Sequence, residues 1–143
     1  MSGTIIQGTG PLEGFRTWGD DDPFEAAVGP FFLRQLPDGS YRSAFMAEDR
    51  HANAGGVLHG GALMSFADFT AFVIAKDHMK DFGVTVSLNC DFVAGAAPGC
   101  LYYGKGVTTR TTRSLIFVRG EIYNDAMLVL TFTGILKIPG KKR

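Results

Sequence analysis

One stretch of this 143-residue chain, residues 61 to about 79, can form a long helix, and it dictates what the rest must do. It contains no Pro and is long enough for about five turns. From residue 61 to residue 75 its only charged side chain is Asp68. A helix that is apolar on nearly every side is normally buried, so the other elements have to enclose it. Those elements read as strands. VTVSLNCDFV alternates, with Val84, Val86, Leu88, Cys90 and Phe92 on one face and Thr85, Ser87, Asn89 and Asp91 on the other. FFLRQL and SYRSAFMA flank Pro37-Asp38-Gly39, a turn signal between two strands. Further strands are expected at about 101–109 and 115–123, then a turn at Asn124-Asp125 and a last strand at 128–138. Before them, Asp22-Pro23-Phe24-Glu25 has the grammar of a helix start (a capping Asp, Pro at the first helical position, Glu three after the cap), predicting a short helix through about Val28. Residues 1–21, rich in Gly, Asp and Thr, read as an extended or loosely ordered arm.

The order is thus strand, strand, one long helix, then four strands in an antiparallel meander. That is an α+β chain, an arm (1–21) followed by one domain (22–143), in which a single helix lies across a curved antiparallel sheet. Such a sheet leaves a face and its edges to be covered, and dimerisation is the economical way to do so.

Composition excludes several function classes. Fourteen basic and fourteen acidic side chains give a formal net charge of +0, so no long-range field draws the chain to nucleic acid or an acidic membrane surface. The basic end, Lys141-Lys142-Arg143, reads as a solvated tail. Cys90 and Cys100 form neither a CxxC pair nor a disulfide framework, and the start MSGTIIQGTG has no basic n-region or apolar core of a signal peptide. No apolar run reaches the roughly 18 residues of a membrane span. The expectation is a cytoplasmic protein with no membrane partner.

Asp68 has two readings. Its helical neighbours Met64, Ser65, Ala71 and Phe72 offer no cation, and an unpaired buried carboxylate is costly unless it is hydrogen-bonded, protonated or placed for a task. Partial burial would raise its pKa toward the range of a general base. The plain alternative is that it faces water or caps a loop. Gly55, Gly56, Gly60 and Gly61 crowd the approach to the helix. Glycines at a helix start let a ligand approach backbone N–H groups at the positive end of the dipole. Gly60 N–H is therefore a candidate donor to a carbonyl oxygen, with Asp68 about two turns further in, a layout suited to ester or thioester hydrolysis. GGVLHGGALMS lacks the Lys-Ser/Thr of a P-loop, and His51, His59 and His78 fit no metal pattern. No Ser sits in a GxSxG elbow, and nothing pairs either cysteine with a base.

Asn53, Gly56, Leu58-His59-Gly60-Gly61 and Asp68 reproduce the pattern N-x-x-G-x-L-H-G-G followed by Asp seven residues on. In this the chain resembles the hotdog-fold acyl-CoA thioesterases of the phenylacetate-pathway type, related to 4-hydroxybenzoyl-CoA thioesterase, over about residues 23–137. The resemblance implies Asp68 as general base on water or nucleophile on the thioester, and Gly60 N–H as the donor that polarises the carbonyl. It also implies that Asn53 holds the water or thioester and that His59 supports the loop. Gly61 falls to the substrate side of the same turn. Thr85 matches a Ser/Thr that reaches the site from the partner subunit of a homo-oligomer, dimer or tetramer, with the site at the subunit interface. CoA enters as part of the acyl-CoA substrate, so no separate cofactor or metal is expected. Where relatives often carry Gly-Arg or Gly-Lys in the penultimate turn, this chain has Thr112-Arg113-Ser114. Arg110, Arg113 and Ser114 are candidates for the CoA end, or simply a solvated hairpin tip. Phe66, Phe69 and Phe72 could wall an acyl pocket or belong to the core. The other open reading is a non-catalytic acyl-CoA or small-ligand binding protein on the same fold. A hotdog hydratase would want a His at position 73, which is Val73.

Overall fold

The structure, a computed structural model, describes residues 4–19, 21–81 and 83–139. Asp20 and the basic end Lys141-Lys142-Arg143 lie outside the described residues. In chain order the strands and helices are β1 (Ile5–Gln7), β2 (Arg16–Trp18), α1 (Pro23–Val28), β3 (Phe32–Gln35), β4 (Tyr41–Met46), α2 (Gly60–Ile74), β5 (Val84–Phe92), β6 (Leu101–Thr111), β7 (Leu115–Tyr123) and β8 (Leu128–Lys137). All eight strands form one antiparallel sheet in the order β1-β2-β3-β4-β6-β7-β8-β5.

This is the expected hotdog arrangement, with corrections of detail. β5 does not start the meander. It pairs with β8, so β6, β7 and β8 form the meander and β5 closes the sheet as an edge strand. Alternation along VTVSLNCDFV reports which residues share a face, not which strand lies alongside. The α-helical part of the long helix stops at Ile74, and a 3₁₀ turn at Lys76–His78 completes the expected span. β6 continues to Thr111, past a bulge between Thr108 and Arg110. Residues 4–19 are part of the fold. Their β1–β2 hairpin extends the sheet beyond β3, and Phe15 is buried against Phe32 and Ala44. Leu33 and Phe45, the alternating neighbours of those two, face α2, so Phe15 covers the sheet face turned away from the helix.

α2 lies across the other face. Leu63, Phe66, Ala67, Phe69, Ala71 and Val73 join Phe31, Leu33, Phe45, Tyr102, Ile116, Ile122, Leu130 and Leu136 in one core. The rings of Phe31, Phe45 and Phe66 meet with centroids 5.1–5.3 Å apart, so Phe66 and Phe69 serve the core, and Phe72 is half-buried beside it. Glycines let the helix approach the sheet. A Cβ at Gly104 would lie 2.7 Å from Thr70, and one at Gly106 would lie 2.5 Å from Ile74 Cδ1. The buried Thr70 hydroxyl bonds Phe66 O and Ser43 Oγ, each at 2.7 Å, so that polar pair under the helix is satisfied. Among the described residues no helix is long and apolar enough to cross a membrane.

Candidate active site

The loop before α2 is held from both sides. Leu58 N–H bonds Ala96 O, His59 N–H bonds His51 O, and Asn53 N–H bonds Val57 O, at 2.7–2.8 Å. Gly56 turns the chain with φ +86°, a conformation that costs a side chain dearly. Asn53 Oδ1 accepts from Gly55 N–H (2.9 Å) and Val57 N–H (3.3 Å). Two donors on one atom identify it as the oxygen, which leaves the amide NH₂ of this exposed residue as the end presented outward. Asn53 therefore shapes the loop and retains a donor.

At the helix start, His59 Nδ1 accepts from Gly61 N–H (2.8 Å), and His59 O accepts from Ala62 and Leu63 N–H (3.0 and 3.2 Å). His59 is thus the N-cap, in the Nε2–H tautomer. Gly60 N–H has no partner among the described residues. It sits at the positive end of a fifteen-residue helix, beside the ring of Phe92, which would stand 3.4 Å from a Cβ there. The candidate carbonyl donor is therefore free, whereas Gly61 N–H is committed to the cap.

Asp68 occupies the stripe of α2 that the sheet does not cover, with Met64 and Phe72 one turn away on either side. It is half-buried, and burial raises its pKa. Thr85 Oγ1 donates to Asp68 Oδ1 at 2.5 Å, which lowers it, and the charge of Asp22 adds a smaller upward push. Burial is the largest of the three, so the carboxyl titrates above its ordinary value.

Thr85 lies on a different face of its strand from the one its alternation predicts. The alternation placed it on the face opposite Val84 and Val86. A bulge between Thr85 and Ser87 leaves Val86 without an opposing residue and pairs Thr85 with Leu136, which points into the core. Thr85 thereby turns to the helix side. It bonds Asp68 of its own chain, so acid and hydroxyl travel together.

Three further side chains, Arg50, His51 and Glu25, were not read from the sequence as parts of the site. α1 packs against α2, and its C-terminal carbonyls are capped from the segment before the motif loop. Arg50 Nη1 donates to Ala27 O (2.7 Å) and Arg50 Nη2 to Gly29 O. His51 accepts from Glu48 N–H on Nδ1 (2.9 Å) and donates from Nε2 to Val28 O (2.5 Å). Seated this way, α1 brings Glu25 toward Asp68. Glu25 is half-buried, and burial, then Asp22, then Asp68 raise its pKa to about 7.

Arg110, Arg113 and Ser114 are not brought to the Gly60 loop of their own chain. Phe92, against Gly60, lies in a cross-strand row with Leu130, Ile122 and Gly104, while Arg110 lies in the row of Phe117, Ile135 and Ser87. Six residues along β6 separate the rows, roughly 20 Å. Arg110, Arg113 and Ser114 are exposed, and the hairpin turn that carries Arg113 and Ser114 is closed by Thr112 N–H donating to Leu115 O (2.8 Å). On this chain they form an exposed hairpin tip.

A model of the thioesterase superfamily matches residues 55–131, more than half of the chain. The chain belongs to the thioesterase superfamily. The matched span includes Gly60, Asp68 and Thr85. A Pseudomonas aeruginosa protein whose name assigns it provisionally to the esterases is 27% identical over 130 residues, covering 89% of this chain and 96% of its own. Among solved structures, a mutant form of the phenylacetic acid degradation protein PaaI of Thermus thermophilus superimposes with a TM-score of 0.70 at 27% identity, covering 82% of this chain and all of that one. A Streptococcus mutans protein bound to acetyl-CoA shares the fold at 18% identity, with a TM-score of 0.69 over 79% of this chain and 91% of its own. Membership supports a hydrolase acting on thioesters.

Proposed function

We propose that this thioesterase-superfamily chain is an acyl-CoA thioesterase, hydrolysing an acyl-CoA to the free acid and CoA. In it Gly60 N–H polarises the thioester carbonyl and Asp68 acts as general base on water or as nucleophile. The observation that carries the reading is the pairing of a free N–H at the α2 start with a half-buried, hydrogen-bonded carboxylate on the uncovered stripe of the same helix. As the carbonyl carbon is attacked, its oxygen gains negative charge, which an unpartnered N–H at a helix N-terminus stabilises without prior rearrangement. Asp68 takes the proton of the attacking water, or itself forms a bond to the carbon. On the first route the C–S bond then breaks and the thiolate leaves with the proton that Asp68 took. On the second the thiolate leaves an acyl-Asp68 anhydride, which water hydrolyses to the free acid and the regenerated carboxylate, its proton going to the thiolate. Thr85 holds the ionised carboxylate in place, and Asn53 supplies the outward NH₂ for the water or thioester.

The same geometry supports a homodimer with two shared sites. On one helix, Gly60 and Asp68 are separated by roughly 12 Å along the axis and about 80° around it. Base or nucleophile must come within about 3–3.5 Å of the reacting atom or its water. β5, one of the two edge strands of the sheet, carries both neighbours: Phe92 at one end lies against Gly60, and Thr85 at the other bonds Asp68. Antiparallel pairing of two β5 strands about their middle lays the Phe92 end of each against the Thr85 end of the other. A donor from one chain then meets a base from its partner.

The test is thiol release from aryl-, short-chain and long-chain acyl-CoAs by the wild type and Asp68→Asn, with a no-substrate control for Cys90 and Cys100. Loss of a positioned base lowers turnover about 10²–10⁴-fold. A folded wild type that binds these esters and releases no thiol would make this a binding protein instead.

A further inference from the structure

We propose that Glu25 is a positioning residue of this site, a second carboxyl that carries the proton in the working state so that Asp68 keeps the single negative charge. The proposal rests on the thioesterase reading of Asp68.

Its basis is where α1 sits and what Glu25 does not do. The sequence grammar gives Glu25 the reciprocal half of a capping box, its side chain returning to the N-cap backbone. The observed cap runs one way only: Asp22 Oδ1 accepts from Glu25 N–H at 3.0 Å. Among the described residues the Glu25 carboxyl has no hydrogen bond and no ion pair. It is half-buried where α1 meets α2, in a helix anchored at its far end by Arg50 and His51. The charged groups it faces are Asp22, at the N-cap of its own helix, and Asp68 on α2, both negative. Arg50 is occupied elsewhere, with Ala27 O, Gly29 O and, at 2.7 Å, Glu48. On the β5 side, Thr85 donates to Asp68 and the Cys90 thiol is pushed up by burial, Asp91 and Asp68, so it stays a neutral thiol near neutral pH.

Neighbouring carboxyls without a cation between them do not both ionise readily. Asp68 has a donor for its charged form and Glu25 has none, so the first proton to leave comes from Asp68 and the second from Glu25. Between these two steps, the second of them at about pH 7, the cluster holds an ionised base beside a neutral acid. Above the second step, a second charge faces the site and opposes the negative charge that grows on the thioester oxygen.

The experiment is the pH profile of kcat/KM for the wild type, Glu25→Gln and Asp68→Asn on one acyl-CoA, with melting temperatures of the wild type and Glu25→Gln at pH 5 and pH 8. The wild type should lose activity above an inflection near pH 7. Glu25→Gln should lack that inflection and keep the acid limb. A carboxyl whose pKa is raised on folding binds more protons folded than unfolded, so its contribution falls as pH rises from its unfolded value, 4.5, to about 7. Glu25→Gln should accordingly gain stability relative to the wild type between pH 5 and pH 8. An alkaline inflection unchanged in a folded Glu25→Gln, or a melting-temperature difference that is the same at both pH values, overturns the proposal and leaves Asp68 chemistry standing. Full hydrolysis by Asp68→Asn overturns the functional reading itself.

Discussion

Asp68 leaves water only in part, and one hydrogen bond from Thr85 works against the cost of doing so. That balance gives a direct prediction. Thr85 donates to the ionised carboxylate, so replacing it by Val disfavours the charged form and raises the Asp68 pKa further. Activity that needs ionised Asp68 is then lost earlier as pH falls, and the acid limb of kcat/KM in Thr85→Val should lie at higher pH than in the wild type. An acid limb at the wild-type pH would mean that Thr85 does not hold the base. At this scale the motif was legible: a lone carboxylate in an apolar helix, behind a glycine-rich loop, marks itself. Thr85 was legible as a residue but not as a contact, because one bulge at Val86 moves it to the other face of its strand. Glu25 was hidden by a cap grammar that explained it adequately in another way.

Helix α2 and strand β6 show what the elements demand of each other. Gly106 lies where Ile74 comes down on the sheet, and a Cβ there would stand 2.5 Å from Ile74 Cδ1 and 2.2 Å from the carbonyl oxygen of Arg119. The backbone atom cannot swing aside, so Gly106→Ala should destabilise the fold by about 1–3 kcal/mol, read as a lower melting temperature. An unchanged melting temperature would mean that helix and sheet are less closely seated than described. Element types and most boundaries followed from periodicity and turn residues, and α1 at Pro23–Val28 is a case in point. Neighbour relations did not. That β5 lies beside β8 depends on how a loop of eight residues after Phe92 returns the chain to β4. That α1 is anchored by Arg50 and His51 depends on contacts more than twenty residues apart.

The whole molecule presents one sheet with a bare edge, β5, which links the two halves of the site: Phe92 with Gly60 and Thr85 with Asp68. A partner covering the sheet was an expectation drawn from a single helix on a single sheet. The reason donor and base would come from different chains was not legible there, since it depends on which ends of β5 touch which parts of α2. The most direct measurement is subunit complementation. Asn53→Asp keeps the oxygen that shapes the loop and removes the NH₂ donor, and Asp68→Asn removes the base. Co-expressed with different tags and purified through both, the two chains form a heterodimer with one site doubly altered and the other intact. Each variant alone should be nearly inactive, and the heterodimer should recover about half of the wild-type activity per dimer, one symmetric site of two. A heterodimer no more active than its parents, or no heterodimer at all, would contradict a thioesterase site built from two chains.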